Sequence, residues 1–194
     1  AVPRLTEQPI LDPNVLVIDT RPGAQFRAGH IKNALNLQDG GKFETWLGSV
    51  VGPGEEFYLT STDETSLETV IRKAAKIGYE RQIKGAFVME KGLENTTSPT
   101  FDLEAFTEDP EKFTIIDIRN EAEVKDGKLF KSAITIPLPV LREHIAEVPN
   151  DKPIVVHCAG GYRSAAGASI IEQKLKDVSV LDMGEYITQF ASKK

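Results

Sequence analysis

Val15-Leu16-Val17-Ile18-Asp19-Thr20-Arg21 is an apolar, β-branched run ending in Asp-x-Arg, and Phe113-Thr114-Ile115-Ile116-Asp117-Ile118-Arg119 repeats it 98 positions later, Asp19 to Asp117. A short continuous apolar run of this kind predicts a strand buried on both faces. Each copy goes on through a polar stretch to a second short strand, Ala34-Leu35-Asn36-Leu37 or Ala133-Ile134-Thr135-Ile136. A third follows, Glu56-Phe57-Tyr58-Leu59-Thr60 or Pro153-Ile154-Val155-Val156-His157, and each feeds a helix. In the first copy Leu67, Val70, Ile71, Ala74 and Ile77 fall on one helical face. In the second the face is Ala165, Ala168, Ile171 and Leu175, whose small members permit close approach to a sheet. Strands alternating with helices imply an α/β fold built twice, each copy a mainly parallel sheet flanked by helices. The polar, breaker-rich stretch Gly92-Leu93-Glu94-Asn95-Thr96-Thr97-Ser98-Pro99 reads as the linker, giving domains over 1–95 and 99–194. Phe101-Asp102-Leu103-Glu104-Ala105-Phe106 reads as the opening helix of the second, ended at Glu108-Asp109-Pro110.

The chain has 194 residues, 40% hydrophobic and 27% charged, with a net charge of -6. That balance argues against a general nucleic-acid binder, whose affinity needs a basic surface. No apolar run approaches the length of a membrane span. The first residues carry no secretory signal pattern, and the absence of an initiator Met fits a processed or excised piece. His30, His144 and His157 match no zinc-ligand spacing and no nucleotide-binding loop occurs, so neither metal nor cofactor is expected. The single cysteine, Cys158, excludes an internal disulfide and fits a reducing, cytoplasmic setting. Asn95-Thr96-Thr97 fits a glycosylation acceptor by chance.

The chemistry is concentrated in Val155-Val156-His157-Cys158-Ala159-Gly160-Gly161-Tyr162-Arg163-Ser164. A thiol between a strand end and a helix start meets unpaired backbone N–H groups, which together with the helix dipole favour an anion. Gly160 and Gly161 let the loop curl so that its N–H groups point inward. Arg163 adds a fixed positive charge with a planar fork suited to an oxyanion. A lone cysteine is commonly just a small buried hydrophobe. Core packing, however, does not call for two glycines and an arginine in the next five positions. His157 reads as a packed or hydrogen-bonded residue rather than a base. Tyr162 lines the mouth or rests on the surface, and Ser164 serves as a helix cap or a substrate contact.

At these residues the chain resembles the rhodanese family of sulfurtransferases, whose active loop runs Cys-x-x-Gly-x-Arg-Ser or close to it; Cys158-Ala159-Gly160-Gly161-Tyr162-Arg163-Ser164 fits throughout. The first copy resembles the family's opening signature in Asp19-Thr20-Arg21, Phe26 and Gly29-His30-Ile31-Lys32-Asn33-Ala34-Leu35-Asn36. The second departs from it in Gly127-Lys128, where Gly-His is usual, and in a weak end around Gly184. The resemblance implies two tandem rhodanese-like domains, with Cys158 as nucleophile and Ala159, Gly160, Gly161, Tyr162, Arg163 and Ser164 around the substrate. It also implies that Arg119 reaches the substrate anion; a structural ion pair with a nearby carboxylate is the open alternative. Asp117 reads as a buried hydrogen-bond organiser. The Cys-x4-Arg spacing is one residue shorter than the Cys-x5-Arg of dual-specificity phosphatases, which suits one sulfur atom better than a phosphoryl group.

Aligned on the preceding strand, Ser61 stands where Cys158 does, and Thr60-Ser61-Thr62-Asp63-Glu64-Thr65-Ser66 has no glycine, no arginine and two acids. Such a loop repels an anion, so the first domain is expected to be catalytically silent, shaping or roofing the second domain's pocket or docking another domain. Gly40-Gly41-Lys42-Phe43-Glu44-Thr45-Trp46-Leu47-Gly48 is similar to an insertion in tandem rhodanese regions fused behind a metallo-β-lactamase-fold persulfide dioxygenase. That resemblance implies a fused or docked dioxygenase domain as partner. The expected activity moves a sulfane sulfur from thiosulfate or a low-molecular-weight persulfide to a thiol, sulfite or cyanide through a Cys158 persulfide. A non-catalytic regulatory or sulfur-binding module and a Cys-dependent phosphatase are the alternatives.

Overall fold

A computed structural model describes residues 1–6 and 8–191; the last three positions of the expected second domain lie outside the described residues. The chain forms two compact units, Ala1–Thr97 and Ser98–Lys194. In the first, β1 (Leu16–Asp19), α1 (Gly23–Ala28), β2 (Leu35–Asn36), α2 (Phe43–Val50), β3 (Phe57–Ser61), α3 (Glu64–Lys76) and β4 (Ile83–Val88) follow one another. In the second come α4 (Leu103–Glu108), β5 (Thr114–Asp117), α5 (Glu121–Asp126), β6 (Ile134–Thr135), α6 (Leu138–Leu141), β7 (Ile154–His157), α7 (Tyr162–Lys174), β8 (Val180–Asp182) and α8 (Thr188–Ala191).

The two sheets share one topology, all strands parallel: β2-β1-β3-β4 in the first unit and β6-β5-β7-β8 in the second. The first and third apolar runs of each copy are the inner strands, β1 and β3 or β5 and β7; β1, β3 and β7 are buried along their whole length. Parallel strands need covered faces, and the helices supply the cover. On α3 the buried residues are Leu67, Val70, Ile71 and Ala74, the predicted stripe short of Ile77, which caps the helix end. On α7 burial runs continuously from Ser164 to Ile171, so the helix is enclosed rather than one-faced. Gly167 makes that possible: a Cβ there would lie 2.9 Å from Ile118 Cδ1 and 3.1 Å from Val156 Cγ1. The helix thus sits closely against β7, which ends one residue before Cys158, and against Ile118 just after β5.

The stretch read as a linker is largely bonded into the first unit. His30 and Thr96 exchange backbone hydrogen bonds, Asn95 Oδ1 accepts from Lys32 N–H, and Glu94 pairs with Arg21. Both Asp-x-Arg motifs close on themselves. Arg21 and Arg119 are buried, each forked onto its own aspartate at 2.8 Å, and each reaches a glycine carbonyl eight residues on, that of Gly29 or Gly127. Among the described residues no helix is long and apolar enough to cross a membrane.

Candidate active site

Strand β7 delivers Cys158 to the carboxyl end of the second sheet, and α7 begins four residues later. The sulfur is turned toward the loop: Sγ accepts the Gly161 N–H at 3.1 Å. Cys158 itself is buried, whereas Ala159 and Gly160 are exposed, so the thiol lies beneath an open loop crest. Gly161 is the N-cap of α7 and has φ of +105°, a backbone state that side chains resist. It is also wedged against the turn after β8, since a Cβ would stand 2.6 Å from the Gly184 carbonyl carbon and 2.7 Å from Glu185 N. Two independent constraints therefore demand glycine here. No side chain caps α7 at this residue, which leaves the positive end of the helix dipole facing the sulfur.

The buried Ser164 hydroxyl donates back to the Gly161 carbonyl at 3.2 Å and ties the first helical turn to the loop. Tyr162 is half-buried on that turn. Arg163 presents its fork to Glu123, both nitrogens at 2.8 Å from the two carboxylate oxygens. Glu123 is held in place in its turn by a capping box at the start of α5: its carboxylate accepts the Asn120 N–H, and the Asn120 side chain accepts the Glu123 N–H. The Arg163 hydrogen bonds are the main reason the Glu123 carboxyl titrates at about 2, well below its ordinary 4.5. Arg163 is stabilised as a cation, chiefly by Glu123, with Cys158 and Asp117 contributing at longer range.

Arg119 gives Nε and Nη2 to Asp117 and shares Nη2 with the Gly127 carbonyl, the ion-pair arrangement that its counterpart Arg21 makes in the first unit. His157 is fully buried, donates Nδ1–H to the Cys158 carbonyl at 3.0 Å and holds Nε2 3.7 Å from Asp117 Oδ2. Burial drives its pKa down, partly offset by the Asp117 charge. The structure thus gathers Cys158, Ala159, Gly160, Gly161, Tyr162 and Ser164 at one strand–helix junction and gives both arginines to carboxylates. Sequence reasoning did not find Glu123, although Asn120-x-x-Glu123 carries the capping-box pattern. It noted Gly184 only as a departure.

A protein-family model, the rhodanese-like domain, matches the chain twice, over residues 3–98 and 100–186. The chain belongs to the rhodanese-like domain family. A sulfurtransferase of Allochromatium vinosum is 29% identical over 66 residues, 34% of this chain and 61% of that protein. Among solved structures, an NAD-dependent persulfide reductase from A. fulgidus aligns with 24% identity and a TM-score of 0.36, covering 69% of this chain and 20% of that one. The thiosulfate sulfurtransferase of Pseudomonas aeruginosa aligns with 16% identity and a TM-score of 0.34, covering 92% and 40%. The chain spans less than two thirds of the length of each of these three proteins. The expected fused or docked dioxygenase domain finds no support in these matches.

The rhodanese-like domain of the first unit keeps the strand and helix but not the loop. Asp19 pairs in register with Thr60 as Asp117 does with His157, which makes Ser61 the positional counterpart of Cys158. Only Thr62 separates Ser61 from the next N-cap, Asp63, whose carboxylate accepts the Ser66 N–H at 2.8 Å. That hydrogen bond holds the Asp63 carboxyl below its usual pKa.

Proposed function

We propose that the second unit is a sulfurtransferase that works through a persulfide on Cys158. The thiolate attacks the outer sulfur of thiosulfate or of a low-molecular-weight persulfide. The donor's S–S bond breaks, its electron pair leaves with sulfite or with the donor thiolate, and the transferred sulfur stays on Cys158 as a persulfide anion. With no second cysteine in the chain, the sulfur passes outward. A thiol, sulfite or cyanide attacks the terminal sulfur, and the bond to Cys158 breaks to restore the thiolate. The backbone donors of Ala159, Gly160 and Gly161 stabilise the charge on the terminal sulfur, as an oxyanion hole does. Tyr162 borders the loop, Ser164 fixes its curl, and Arg163 and Arg119 act from behind it, each through its carboxylate partner. A free thiol of this kind suits a reducing compartment such as the cytoplasm.

The observation that carries this reading is the Gly161 N–H pointing at Sγ from 3.1 Å on an uncapped helix N-terminus. Such a cradle has an evident use for an anion on sulfur and none for a packed thiol. The test is intact-mass measurement after separate incubations with thiosulfate and with glutathione persulfide. A single-sulfur increment that cyanide removes supports the reading. An unchanged mass with both donors refutes it and leaves the non-catalytic module and the Cys-dependent phosphatase.

A further inference from the structure

Resting on the sulfur-transfer reading, we propose that Glu123 is a specificity-determining residue that tunes the Cys158 site to singly charged persulfide donors and against the thiosulfate dianion. The two arginines that could grip a dianion are both neutralised within the second unit. Arg163 is held by both oxygens of Glu123, and Arg119 by Asp117. The four groups behind the loop sum to no net charge. What remains to greet a donor is the loop's backbone N–H groups, which stabilise about one negative charge on sulfur but do not compensate two.

The Glu123–Arg163 pair is also built to stay closed. Glu123 Oε2 accepts both the Asn120 N–H at 3.0 Å and Arg163 at 2.8 Å, and Oε1 takes the other guanidinium nitrogen at 2.8 Å. For the arginine to turn toward a substrate, a bidentate pair must open while its acceptor remains pinned at the N-terminus of α5. A thiosulfate ion does not bring enough attraction to repay that loss in a partly solvated site. A persulfide makes a smaller demand. It brings one charge to the reacting atoms, on its outer sulfur; that charge stays with the sulfur on Cys158, while the S–S electron pair leaves on the donor thiolate.

The first unit supplies an internal contrast. Counting from the Asp-x-Arg motifs, Gln25 stands where Glu123 does; counting from the helix caps, Thr65 stands where Arg163 does. Gln25 accepts a hydrogen bond from Thr62 at 3.3 Å, so no ion pair occupies that place. The carboxylate and the arginine occur together in the unit with the thiol and are both missing from the unit without it.

The test measures kcat/KM for thiosulfate and for cysteine persulfide, whose zwitterionic amino acid leaves one net charge, in the unmodified protein, in E123Q and in E123Q/R163Q. Glutamine keeps the capping box, so α5 retains its start. The unmodified protein is expected to prefer the persulfide. In E123Q the ratio of kcat/KM for thiosulfate to kcat/KM for the persulfide should rise about tenfold. The double variant should lose the gain. An unmoved donor ratio in E123Q, or an unmodified protein that uses thiosulfate as well as persulfide, overturns the proposal. A second measurement needs no variant. Between about 20 and about 300 mM salt, thiosulfate turnover by the unmodified protein should stay flat or rise, whereas a steep fall would reveal cationic capture and also overturn it. Transfer from both donors at an unmoved ratio sinks this proposal alone; no transfer from either donor in any of the proteins sinks the sulfur-transfer reading as well.

Discussion

Two helix N-termini with the same parentage have been finished differently. In each unit an inner parallel strand, β3 or β7, runs into a 13-residue helix, α3 or α7, and the register against Asp19 or Asp117 equates Ser61 with Cys158. The first unit then uses one residue to reach its cap, and the cap is Asp63, whose own carboxylate takes the Ser66 N–H. The second uses two, Ala159 and Gly160, and caps with Gly161, which brings no acceptor. The donors at a helix start need an anion or a lone pair. Where the chain provides one, the donors are taken; where the cap withholds it, the sulfur of Cys158 takes the place by accepting the Gly161 N–H. One added residue and one omitted side chain separate a helix start capped by its own carboxylate from one whose N–H turns to a thiol.

The largest effect expected from testing this contrast comes from giving the second unit the residue that the first already has. Cys158→Ser should fold, since Ser61 occupies the same corner of the first unit and is itself buried. Transfer should fall by at least about 10³-fold and the sulfur mass increment should vanish. Residual persulfide formation in that variant would mean that the chemistry lies elsewhere. Gly161→Ala is next. It places a methyl group within 2.6 Å of the Gly184 carbonyl carbon at φ of +105°. Chemical denaturation should show a loss of about 1–3 kcal/mol, and transfer should drop with it as the N–H is turned away from Sγ. Gly160→Ala is the control. Nothing lies within 4 Å of a Cβ there, and stability should hold.

A smaller effect is expected in the first unit. Asp63→Ala removes the cap from α3 and should lower the melting temperature slightly, while Asp63→Asn, which can still accept the Ser66 N–H, should restore it. Neither change should generate a second sulfur adduct, because Ser61 supplies no thiol. A gain in anion affinity in Asp63→Ala, read by sulfite titration against the unmodified protein, would show that the old cradle survives under its plug.

How much of this was legible beforehand follows from how local each feature is. The inner strands and the main helices were readable because their apolar runs and spacings lie within a few residues. Of the edge strands, β2 and β6 fall inside the second short runs read from the sequence, whereas β4 and β8 were not legible. In β4, Lys84 and Gly85 interrupt the apolar pattern, and β8 is three residues long. Gly85 is there because Leu5 packs over it, a Cβ meeting Leu5 Cδ1 at 2.5 Å, which no local rule announces. Gly92–Pro99 has a linker's composition, yet Glu94, Asn95 and Thr96 bond to Arg21, His30 and Lys32, each more than 60 residues away. At the site, the cysteine loop was legible as a contiguous motif. The fate of its arginine was not, because Glu123 lies 40 residues upstream of Arg163 and meets it only once α5 and α7 are packed. A charge in a motif says that a counter-charge is wanted; the fold decides whether substrate or protein provides it.

The smallest expected effect exploits that same pair and sharpens the contrast between units. Glu123 titrates at about 2 when folded, against an ordinary 4.5, so its pairing contributes stability that is fully present above about pH 4.5. As pH falls from there toward 2 the folded carboxylate keeps out a proton that the unfolded chain accepts, and the contribution is progressively lost. E123Q should therefore be less stable than the unmodified protein near neutrality, and the gap should narrow as the solution is acidified through that window. Asp12 and Asp63 are depressed as well, so acid will weaken both proteins; the difference between them isolates Glu123. In the first unit the matching Gln25→Ala change removes no titrating group and should shift stability by the same amount at every pH. Parallel pH profiles for the unmodified protein and E123Q would show that the arginine is not bound to this carboxylate in solution, and would leave Arg163 free for the substrate after all.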